Sequence, residues 1–474
     1  MNQYYVLVPK NLNLDQRLSK FPPPFDFNKE YIYYFTSKLI EDIAYQNMDD
    51  SYDETPDNNK NDIDSMIKHY TPMCATINQN FFRDSKLHLD YLYLNLPNEG
   101  RFFWRKNYEE GACFSYRLPD YYWGSGELEL ISLSGQSIVN KIKKENPPFV
   151  ENKVRKKFGF TINYFDTKRF ELDEKSALKD LYAEYQKTGN YQKYLLNAVR
   201  LMNLKNGHYS FHYNPETDGR LHTALTQFPK ICRKHLKYVK YDGEKLSEID
   251  LSSSVPFILS YILYNYNTQQ PTDLTTEINS KDLLYHYMLV KSSVKPSDKE
   301  IQYFKDLILN NKLYSYFMND FTKLPHFEEN FQKQFNRAFD GDEDDLRKYS
   351  KKRFLSMLFA KPTDYKHEQT VFRKYFPTIN ELLIKYKRKK FRGFKKSDWH
   401  KKLSYLTFQL ESYFMVNVIA REINNTFKRK IPLFTLHDCI IVKEQHLDIV
   451  YKMIGDIFIR EIGYSPNLTK KIWS

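Results

Sequence analysis

Cysteine is scarce in this chain, with only four among its 474 residues. They are Cys74, Cys113, Cys232 and Cys439, and no two of them have the spacing of a zinc site or of a redox motif. Because disulfides persist mainly in oxidising compartments, this sparse and widely separated set predicts a reduced, cytoplasmic protein.

Long apolar runs are also missing. No run approaches the roughly 18 residues that a membrane-spanning helix needs. The first residues do not place a basic stretch before an apolar one, as a secretory signal does. Residues 66–150 lack the Asp-x-Glu pattern of a proofreading exonuclease. The sequence therefore predicts neither a membrane partner nor a second, nucleolytic site in the N-terminal region.

The composition is that of a folded protein with excess positive charge. Apolar residues make up 41% and charged residues 28% of the chain, and the formal net charge is +13. Basic surface binds phosphates with release of counterions, so nucleic acid is the first partner to consider. The alternative is a basic protein from a generally basic proteome.

A short strand that ends in an acid organises the sequence. Residues 246–251 alternate apolar and polar side chains, which predicts a half-buried strand with Asp250 at its tip. Serines at 252–254 then lead into an apolar helix predicted over 255–264. An acid at the tip of a core strand points into a cleft. The alternative is that Asp250 only caps the helix, since Asp and Ser are preferred capping residues.

A second acid lies in the turn of an apolar hairpin. Residues 433–436 and 439–442 are largely apolar, and His437 and Asp438 join them. Two acids on neighbouring β tips can hold two Mg²⁺ ions about 4 Å apart, with Mn²⁺ able to substitute. Mg²⁺ needs only one or two protein carboxylates when substrate phosphates complete its coordination shell.

Between the two acids lies a helix with an unusual face, predicted over 346–360. Four-residue spacing places Arg347, Lys351, Leu355 and Phe359 on one side of it. Two cations followed by two apolar groups suit a face that grips a triphosphate and packs a base and sugar. The alternative is an ordinary amphipathic helix.

Residues 385–402 form a strongly basic run interleaved with aromatic side chains. Such a run is typical of a nucleic-acid groove in which bases stack on aromatic rings. The alternative is a solvated charged loop. A long helix is predicted next, over 403–423, and it bears Gln409 and Glu411.

These features follow the order of the motifs of single-subunit polymerases, the superfamily of family A DNA polymerases and phage- or mitochondrial-type RNA polymerases. Residues 250–252 (Asp-Leu-Ser) resemble motif A, and residues 435–439 (Thr-Leu-His-Asp-Cys) resemble motif C. Residues 347–360 resemble motif B, where the family has Arg-x₃-Lys-x₇-Tyr-Gly. Residues 218–223 are similar to the Gly-Arg segment before motif A, and Gln409 to a minor-groove glutamine. The resemblance covers about 205–474.

The resemblance implies a role for each matching residue. Metal ligands would be Asp250 and Asp438, assisted by the Leu251 carbonyl, and the catalytic residues would be Asp250, Asp438 and Lys351. Contacts to the nucleotide are expected from Arg347, Lys351, Leu355, Phe359 and Val255. Contacts to nucleic acid are expected by the resemblance from Arg220, Gln409 and His437. The basic segments add Arg233, Lys387, Arg388, Lys389 and Lys390.

Four positions depart from the family pattern. Phe359 replaces the usual Tyr and Ala360 the usual Gly of motif B. Val255 stands where family A DNA polymerases carry a glutamate sugar gate, and Cys439 where they usually have Glu and RNA polymerases Ser. These departures bear on the choice between deoxyribose and ribose.

The resemblance implies an α+β right-hand fold and template-directed nucleotidyl transfer onto a 3′-hydroxyl. The expected parts are an N-terminal α+β region (1–150), thumb-like helices (151–205), a palm (206–269 and 403–474) and helical fingers (270–402). The partners would be a primer-template and nucleoside triphosphates, with DNA synthesis slightly favoured over DNA-directed RNA synthesis. Two other classes remain open, a non-catalytic nucleic-acid-binding protein on a polymerase-like palm and a two-metal nuclease.

Overall fold

A computed structural model describes residues 3–46, 63–106, 113–146, 150–165, 169–239, 244–267, 283 and 295–474. Within these residues the chain is α+β, with many helices around small antiparallel sheets. Residues 268–282 and 284–294, which were predicted as part of the fingers, lie outside the described residues. None of the described helices combines the length and the apolar surface needed to cross a bilayer.

The described strands are β1 Tyr4–Pro9, β2 Thr71–Met73, β3 Trp104–Arg105, β4 Phe114–Arg117, β5 Leu128–Leu133, β6 Phe170–Leu172, β7 His212–Tyr213, β8 Leu221–His222, β9 Leu236–Tyr238, β10 Glu244–Leu251, β11 Phe434–Leu436, β12 Cys439–Lys443 and β13 Leu468–Ile472. The described α-helices are α1 Leu14–Lys20, α2 Lys29–Tyr45, α3 Ile63–Met66, α4 Ala75–Phe81, α5 Ser85–Tyr93, α6 Gln136–Glu145, α7 Asn152–Ile162, α8 Glu174–Thr188, α9 Tyr191–Asn206, α10 Ser254–Asn267, α11 Asp298–Leu309, α12 Leu313–Phe321, α13 Phe327–Phe335, α14 Glu343–Phe359, α15 Lys366–Tyr375, α16 Pro377–Arg388, α17 Lys402–Ser412, α18 Arg421–Thr426 and α19 Leu447–Ile462.

The largest sheet is built around β10. Its strands lie in the order β11-β12-β10-β9-β6, and β13 also pairs with β10. The alternating pattern of 246–251 correctly predicted this strand, which has neighbours on both sides and buries Leu246 and Ile249 completely. The hairpin predicted around residues 437 and 438 is confirmed as β11 and β12. The sheet therefore holds the backbone before Asp250 firmly in the core.

The turn after β10 leads directly into α10, as the serines predicted. Ser253 takes a left-handed backbone (φ 59°), which reverses the chain within two residues. The helix that follows is mostly apolar because it packs between α11 and α17. The start of α10 is thus fixed at the same edge of the sheet as Asp250.

Helix α14 begins with a strong cap. Asp342 accepts a hydrogen bond from the backbone N–H of Asp345. The first turn is acidic, which complements the positive end of the helix dipole. The predicted helix over 346–360 is confirmed, three residues longer at its start. Helix α14 packs along α12. Its cationic face lines the same cavity as the acids at the strand ends.

The helix predicted over 403–423 is interrupted. A π-helical segment, Tyr413–Ala420, joins α17 to α18. Most of its side chains are buried, and the segment contacts β11 and β12. Apolar periodicity does not distinguish the wider turn from an α-helix, so the sequence predicted one continuous helix.

The N-terminal region is closely joined to the helices that follow it. Strand β1 pairs with β5, and both α2 and α9 pack on β1. The backbone of Tyr5 exchanges two hydrogen bonds with the side chain of Asn206, each 2.7 Å long. Strand β6 in turn belongs to the central sheet, although its residues fall in the predicted thumb-like segment. These contacts cross the boundaries expected at 150 and 205.

Candidate active site

Two acids meet at one edge of the central sheet. Asp250 ends β10 opposite Cys439 of β12 and Thr469 of β13. Asp438 lies in the two-residue turn between β11 and β12, and its carbonyl accepts a hydrogen bond of 3.1 Å from the N–H of Leu251. The structure therefore brings together two predicted metal ligands that lie far apart in the sequence, and places Leu251 beside them.

A thiol lies with the two acids in a group that could hold a metal ion. The sulfur of Cys439 lies 2.7 Å from Oδ1 of Asp250 and 3.9 Å from Oδ1 of Asp438. One ligand atom from each of the three residues lies within 4.8 Å of the others. Burial and the two neighbouring carboxylates raise the pKa of the Cys439 thiol, so the thiol keeps its proton and donates a hydrogen bond to Asp250.

Asp438 is crowded by negative charge. Burial raises the pKa of its carboxyl well above the usual value, and the carboxylates of Glu411 and Asp250 raise it further, while Arg220 opposes them. A raised carboxyl pKa means that the ionised form is disfavoured in this environment. A bound cation would offset that repulsion, so these residues fit a divalent metal.

Glu411 is a third acid of the site and, unlike the half-buried Asp250 and Asp438, it is fully buried; no role was predicted for it from the sequence. Only 1% of its surface is exposed, and it accepts hydrogen bonds from Arg220 and from Ser254, both 2.5 Å long. A signal was present in the sequence, because Glu411 is the one charged residue between Leu410 and Ala420. Buried acids of this kind are almost always paired.

The Arg220 guanidinium is held flat by its surroundings. Its central carbon lies 3.8 Å from the centroid of the Phe408 ring, and the ring of Phe359 contacts the same phenylalanine at 5.5 Å. Phe359 therefore supports an Arg-Phe stack from α14. It does not line the cavity that the other residues of its helix face share.

A cavity of about 590 Å³ joins the acids to helix α14. Its walls bring together most of the predicted nucleotide site. Those predicted residues that line it are Arg220, Asp250, Leu251, Val255, Arg347, Lys351, Leu355 and Asp438. Glu411 and Tyr314 line it as well. The cavity thus brings carboxylates from the central sheet and cations from α14 together.

The two cations of α14 that were predicted to bind the nucleotide, Arg347 and Lys351, have different surroundings. Arg347 donates to the backbone carbonyl and to the side-chain oxygen of Asn311, at 3.1 and 2.8 Å. Lys351 is exposed, with its ammonium 5.8 Å from the Tyr314 ring. Burial raises the pKa of Tyr314 to about 12, so its hydroxyl keeps its proton at neutral pH. Arg347 is therefore anchored by a neighbouring element, whereas Lys351 is open to solvent.

Gln409 does not face the cavity. Its side-chain amide is buried and donates to the carbonyls of Pro215 and Thr217, at 2.8 Å each. Gly219, with φ 64°, lies so close that an added Cβ would be 2.8 Å from the Gln409 side chain. Gln409 therefore holds the loop that carries Arg220, and the expected contact to a duplex is not supported by its position.

His437 lies in the tight turn beside Asp438, with a left-handed backbone of φ 55°. Burial lowers the pKa of its imidazole to about 3, and Arg220 and His222 lower it further. His222 accompanies it at 5.1 Å between ring centroids and is itself paired with Asp218 at 2.7 Å. The imidazole is therefore neutral at physiological pH, close to the acids.

The basic run divides into buried and exposed parts. Lys387 is buried and donates to the Met357 carbonyl at 3.3 Å, and burial lowers the pKa of its ammonium to about 7. Arg388, Lys389 and Lys390 are exposed. Lys387 is thus a structural residue rather than a phosphate contact, a correction that follows from its place on the inner face of α16.

The aromatic rings of the same run pack on one another. Phe391 and Phe394 stack in parallel at 4.2 Å, and Phe391 is buried. The indole N–H of Trp399 donates to the Phe394 carbonyl. These rings form a small core of their own, and the stacked face of Phe391 is not open to a base.

Arg233 is likewise committed to the protein. Its guanidinium pairs with the buried Glu248 at 2.9 Å and lies 5.3 Å from the Trp473 ring, whose N–H also donates to Glu248. A cation with a buried carboxylate partner is poorly available to phosphate. The nucleic-acid contact predicted for Arg233 is therefore not supported by its surroundings.

Known proteins offer structural similarity, but no match to a family model or to a curated protein. Among solved structures, the chain is similar to the POL domain of Pol1 from M. smegmatis, in a complex with DNA primer-template and dNTP. The identity is 12% and the TM-score 0.38, over 64% of this chain and 56% of that chain. This chain therefore matches less than two thirds of the length of that polymerase domain.

Proposed function

We propose that this protein catalyses template-directed nucleotidyl transfer onto a 3′-hydroxyl. One observation carries the proposal: a pair of acids at β tips lines the same cavity as Arg347 and Lys351. That arrangement offers carboxylates for metal ions and cations for a triphosphate in one cavity. It also unites residues from three distant parts of the sequence, which an ordinary amphipathic helix and a capping aspartate do not explain.

The acids would hold the divalent ions. Asp250 and Asp438 are the ligands in this proposal, with the Leu251 carbonyl assisting. When bound, two Mg²⁺ ions lower the pKa of the attacking 3′-hydroxyl and stabilise the charge of the leaving pyrophosphate. The raised pKa of the Asp438 carboxyl is compatible with the proposal, because burial, and after it the charges of Glu411 and Asp250, disfavour an ionised carboxylate that has no cation beside it.

The cationic helix face would hold the triphosphate. Arg347 is fixed by Asn311, so its guanidinium is already ordered before a nucleotide arrives. Lys351 is exposed at the cavity, which suits a group that gives a proton to the departing pyrophosphate. Leu355 and Val255 would pack against the base and sugar, and Phe359 would support them from behind.

The fold-level part of the proposal is a right-hand arrangement. The palm would comprise 206–269 and 403–474, the fingers 270–402 and the thumb-like helices 151–205. Strand β6 would add to the palm sheet from the thumb-like segment. Nucleic acid would enter along the exposed part of the basic run, where Arg388, Lys389 and Lys390 offer phosphate contacts.

We propose deoxyribonucleotides as the substrates, slightly ahead of ribonucleotides. Val255 and Phe359 lack the polar groups that a dedicated sugar gate would use, and Val255 lines the cavity. An apolar pocket rejects an added hydroxyl only weakly, on the order of a hundredfold. A DNA polymerase with leaky sugar selection is the result, and a single-subunit RNA polymerase is the second candidate.

Primer extension with the purified full chain separates the candidates. The assay uses a labelled primer on a DNA template, Mg²⁺, and either deoxy- or ribonucleoside triphosphates. Extension with deoxynucleotides supports the proposal, and a clear preference for ribonucleotides supports the RNA polymerase. Shortening of the primer indicates a nuclease. Template binding without extension or shortening indicates a non-catalytic binding protein, and each of the last two results overturns the proposal.

A further inference from the structure

The fold brings two cysteines together in the N-terminal region, although their sequence spacing indicated no pair. Strands β2 and β4 are antiparallel, with Met73 opposite Phe114. Cys74 directly follows β2 and Cys113 directly precedes β4, so the same register continued by one residue would set them opposite each other. Their thiols lie within hydrogen-bonding range.

The kind of residue pair that Cys74 and Cys113 form between β2 and β4 decides whether a disulfide can join them. Pro72 pairs with Ser115, and because proline has no N–H, that pair is a non-hydrogen-bonded one. Hydrogen-bonded and non-hydrogen-bonded pairs alternate, so a Cys74–Cys113 pair one residue beyond the end of the ladder would again be of the closer, non-hydrogen-bonded kind. Its Cα atoms are expected about 4.5 Å apart, inside the roughly 4.4–6.8 Å that a disulfide spans.

The four cysteines differ in access to solvent. Cys113 is exposed and Cys74 half-buried, whereas Cys232 and Cys439 are buried. The backbone N–H groups of Ile77 and Thr76 lower the pKa of Cys74, which favours its thiolate. Burial raises the pKa of Cys232 to about 12. Cys74 and Cys113 are therefore the accessible thiols, and Cys74 is the one of the two whose lowered pKa makes it the attacking thiolate.

We propose that Cys74 and Cys113 form a reversible disulfide when the protein meets a low-molecular-weight disulfide. The Cys74 thiolate attacks one sulfur of the reagent, whose S–S bond breaks and releases one thiol after protonation. Cys113 then loses its proton and attacks the Cys74 sulfur, which releases the second thiol. Two protein thiols are oxidised and one disulfide is reduced to two thiols.

The bond would tie β2 to β4 within the three-stranded sheet β2-β4-β3. That sheet lies in the region for which the candidate site gives no role. The modification is therefore independent of the proposed nucleotidyl transfer, and its test does not depend on that activity.

Thiol counting by mass spectrometry tests the proposal on the folded full chain. The protein is treated with oxidised glutathione, then denatured and alkylated. We expect two alkylated thiols, Cys232 and Cys439, with no retained glutathione, and a cross-linked peptide pair containing Cys74 and Cys113. Dithiothreitol should restore four alkylated thiols.

Single substitutions provide the controls. Cys74→Ser and Cys113→Ser should each prevent the cross-link and leave the remaining partner open to a stable glutathione adduct. Cys232→Ser, at a buried thiol, should leave the cross-link intact. Four alkylated thiols in the treated wild type, or separate glutathione adducts on Cys74 and Cys113, would overturn the proposal.

Discussion

At the residue scale, Glu411 connects the separate parts of the candidate site. Its carboxylate accepts hydrogen bonds from Arg220, in the loop before the central sheet, and from Ser254, at the start of α10. It also adds negative charge near Asp438. Its own helix, α17, supplies Phe408 as the support for the guanidinium. Glu411 is therefore a positioning residue in the proposed mechanism.

Glu411→Gln should slow primer extension by about 10- to 100-fold. The reason is that hydrogen bonds to charged groups contribute about 1.5–3 kcal/mol, and the change leaves the Arg220 charge without its buried partner. Steady-state kinetics should show most of the loss in kcat. Glu422→Gln is the matched control, because Glu422 pairs with the exposed Arg460 and lies on the same helical segment, residues 402–426. Equal losses in the two variants would exclude a positioning role.

Lys387 predicts a pH dependence of stability. Burial lowers the pKa of its ammonium from 10.5 to about 7 in the folded protein. Between these values the unfolded chain binds the extra proton, so the lysine makes stability rise with pH above about 7. Below about 7 both states are protonated, and the buried charge lowers stability.

Lys387→Met should therefore gain stability relative to the wild type at pH 7, and the gain should shrink at pH 9. Urea midpoints at the two pH values measure the difference. Lys385→Met, at an exposed lysine paired with Glu381, is the control and should show no pH-dependent gain. If the stability that Lys387→Met gains over the wild type were the same at pH 7 and pH 9, the lowered pKa would be contradicted.

At the element scale, α14 acts as one wall of the cavity. Four-residue spacing correctly predicted that Arg347, Lys351 and Leu355 share a face, because helix geometry alone fixes that relation. The same spacing failed for Phe359, whose side chain reaches Phe408 instead. Periodicity gives the face of a helix, but neighbouring elements decide where the lining of a cavity ends.

Lys351→Ala should raise the KM for nucleotide by about tenfold or more and leave template affinity nearly unchanged. A lost charge-assisted hydrogen bond to phosphate is the cause. Lys352→Ala is the matched control, since Lys352 is an equally exposed neighbour that does not line the cavity. Filter binding and steady-state kinetics separate the two quantities. A similar loss of template affinity would mark Lys351 as a general phosphate contact.

Neutralising Arg388, Lys389 and Lys390 together should weaken template binding and flatten its salt dependence by up to about three units of slope, one for each lost phosphate contact. Lys387 is left unchanged because it is buried. The control is the exposed run of Lys428, Arg429 and Lys430, which carries the same charge. It follows the helical segment over 402–426, whereas residues 388–390 precede that segment. An unchanged slope would assign the first run to a solvated loop.

At the scale of the whole molecule, the sequence predicted the local elements better than their assembly. The strand at Asp250, the hairpin at Asp438 and helix α14 each follow from local patterns, and their order suggested one site. The burial of Gln409, Arg233 and the Lys387 ammonium depends on contacts with distant segments, which single-sequence patterns do not contain.

The pairing of Cys74 with Cys113 and the role of Glu411 were missed for the same reason. Sheet register and helix packing bring them to their partners. The boundary near residue 150 was also drawn from local composition, whereas β1, α2 and α9 form one packed unit across it. The N-terminal region is therefore integral to the fold of this chain.

Incorporation by two single variants tests the central claim most directly. Asp250→Asn and Asp438→Asn each keep the size of the side chain and remove a proposed metal-binding charge. Single-nucleotide incorporation at saturating Mg²⁺ should fall by at least about a thousandfold in each, with template affinity within about twofold of the wild type. Asp456→Asn, at an exposed acid of α19, should behave as the wild type. Near-normal incorporation by either of the first two variants would contradict the two-metal site.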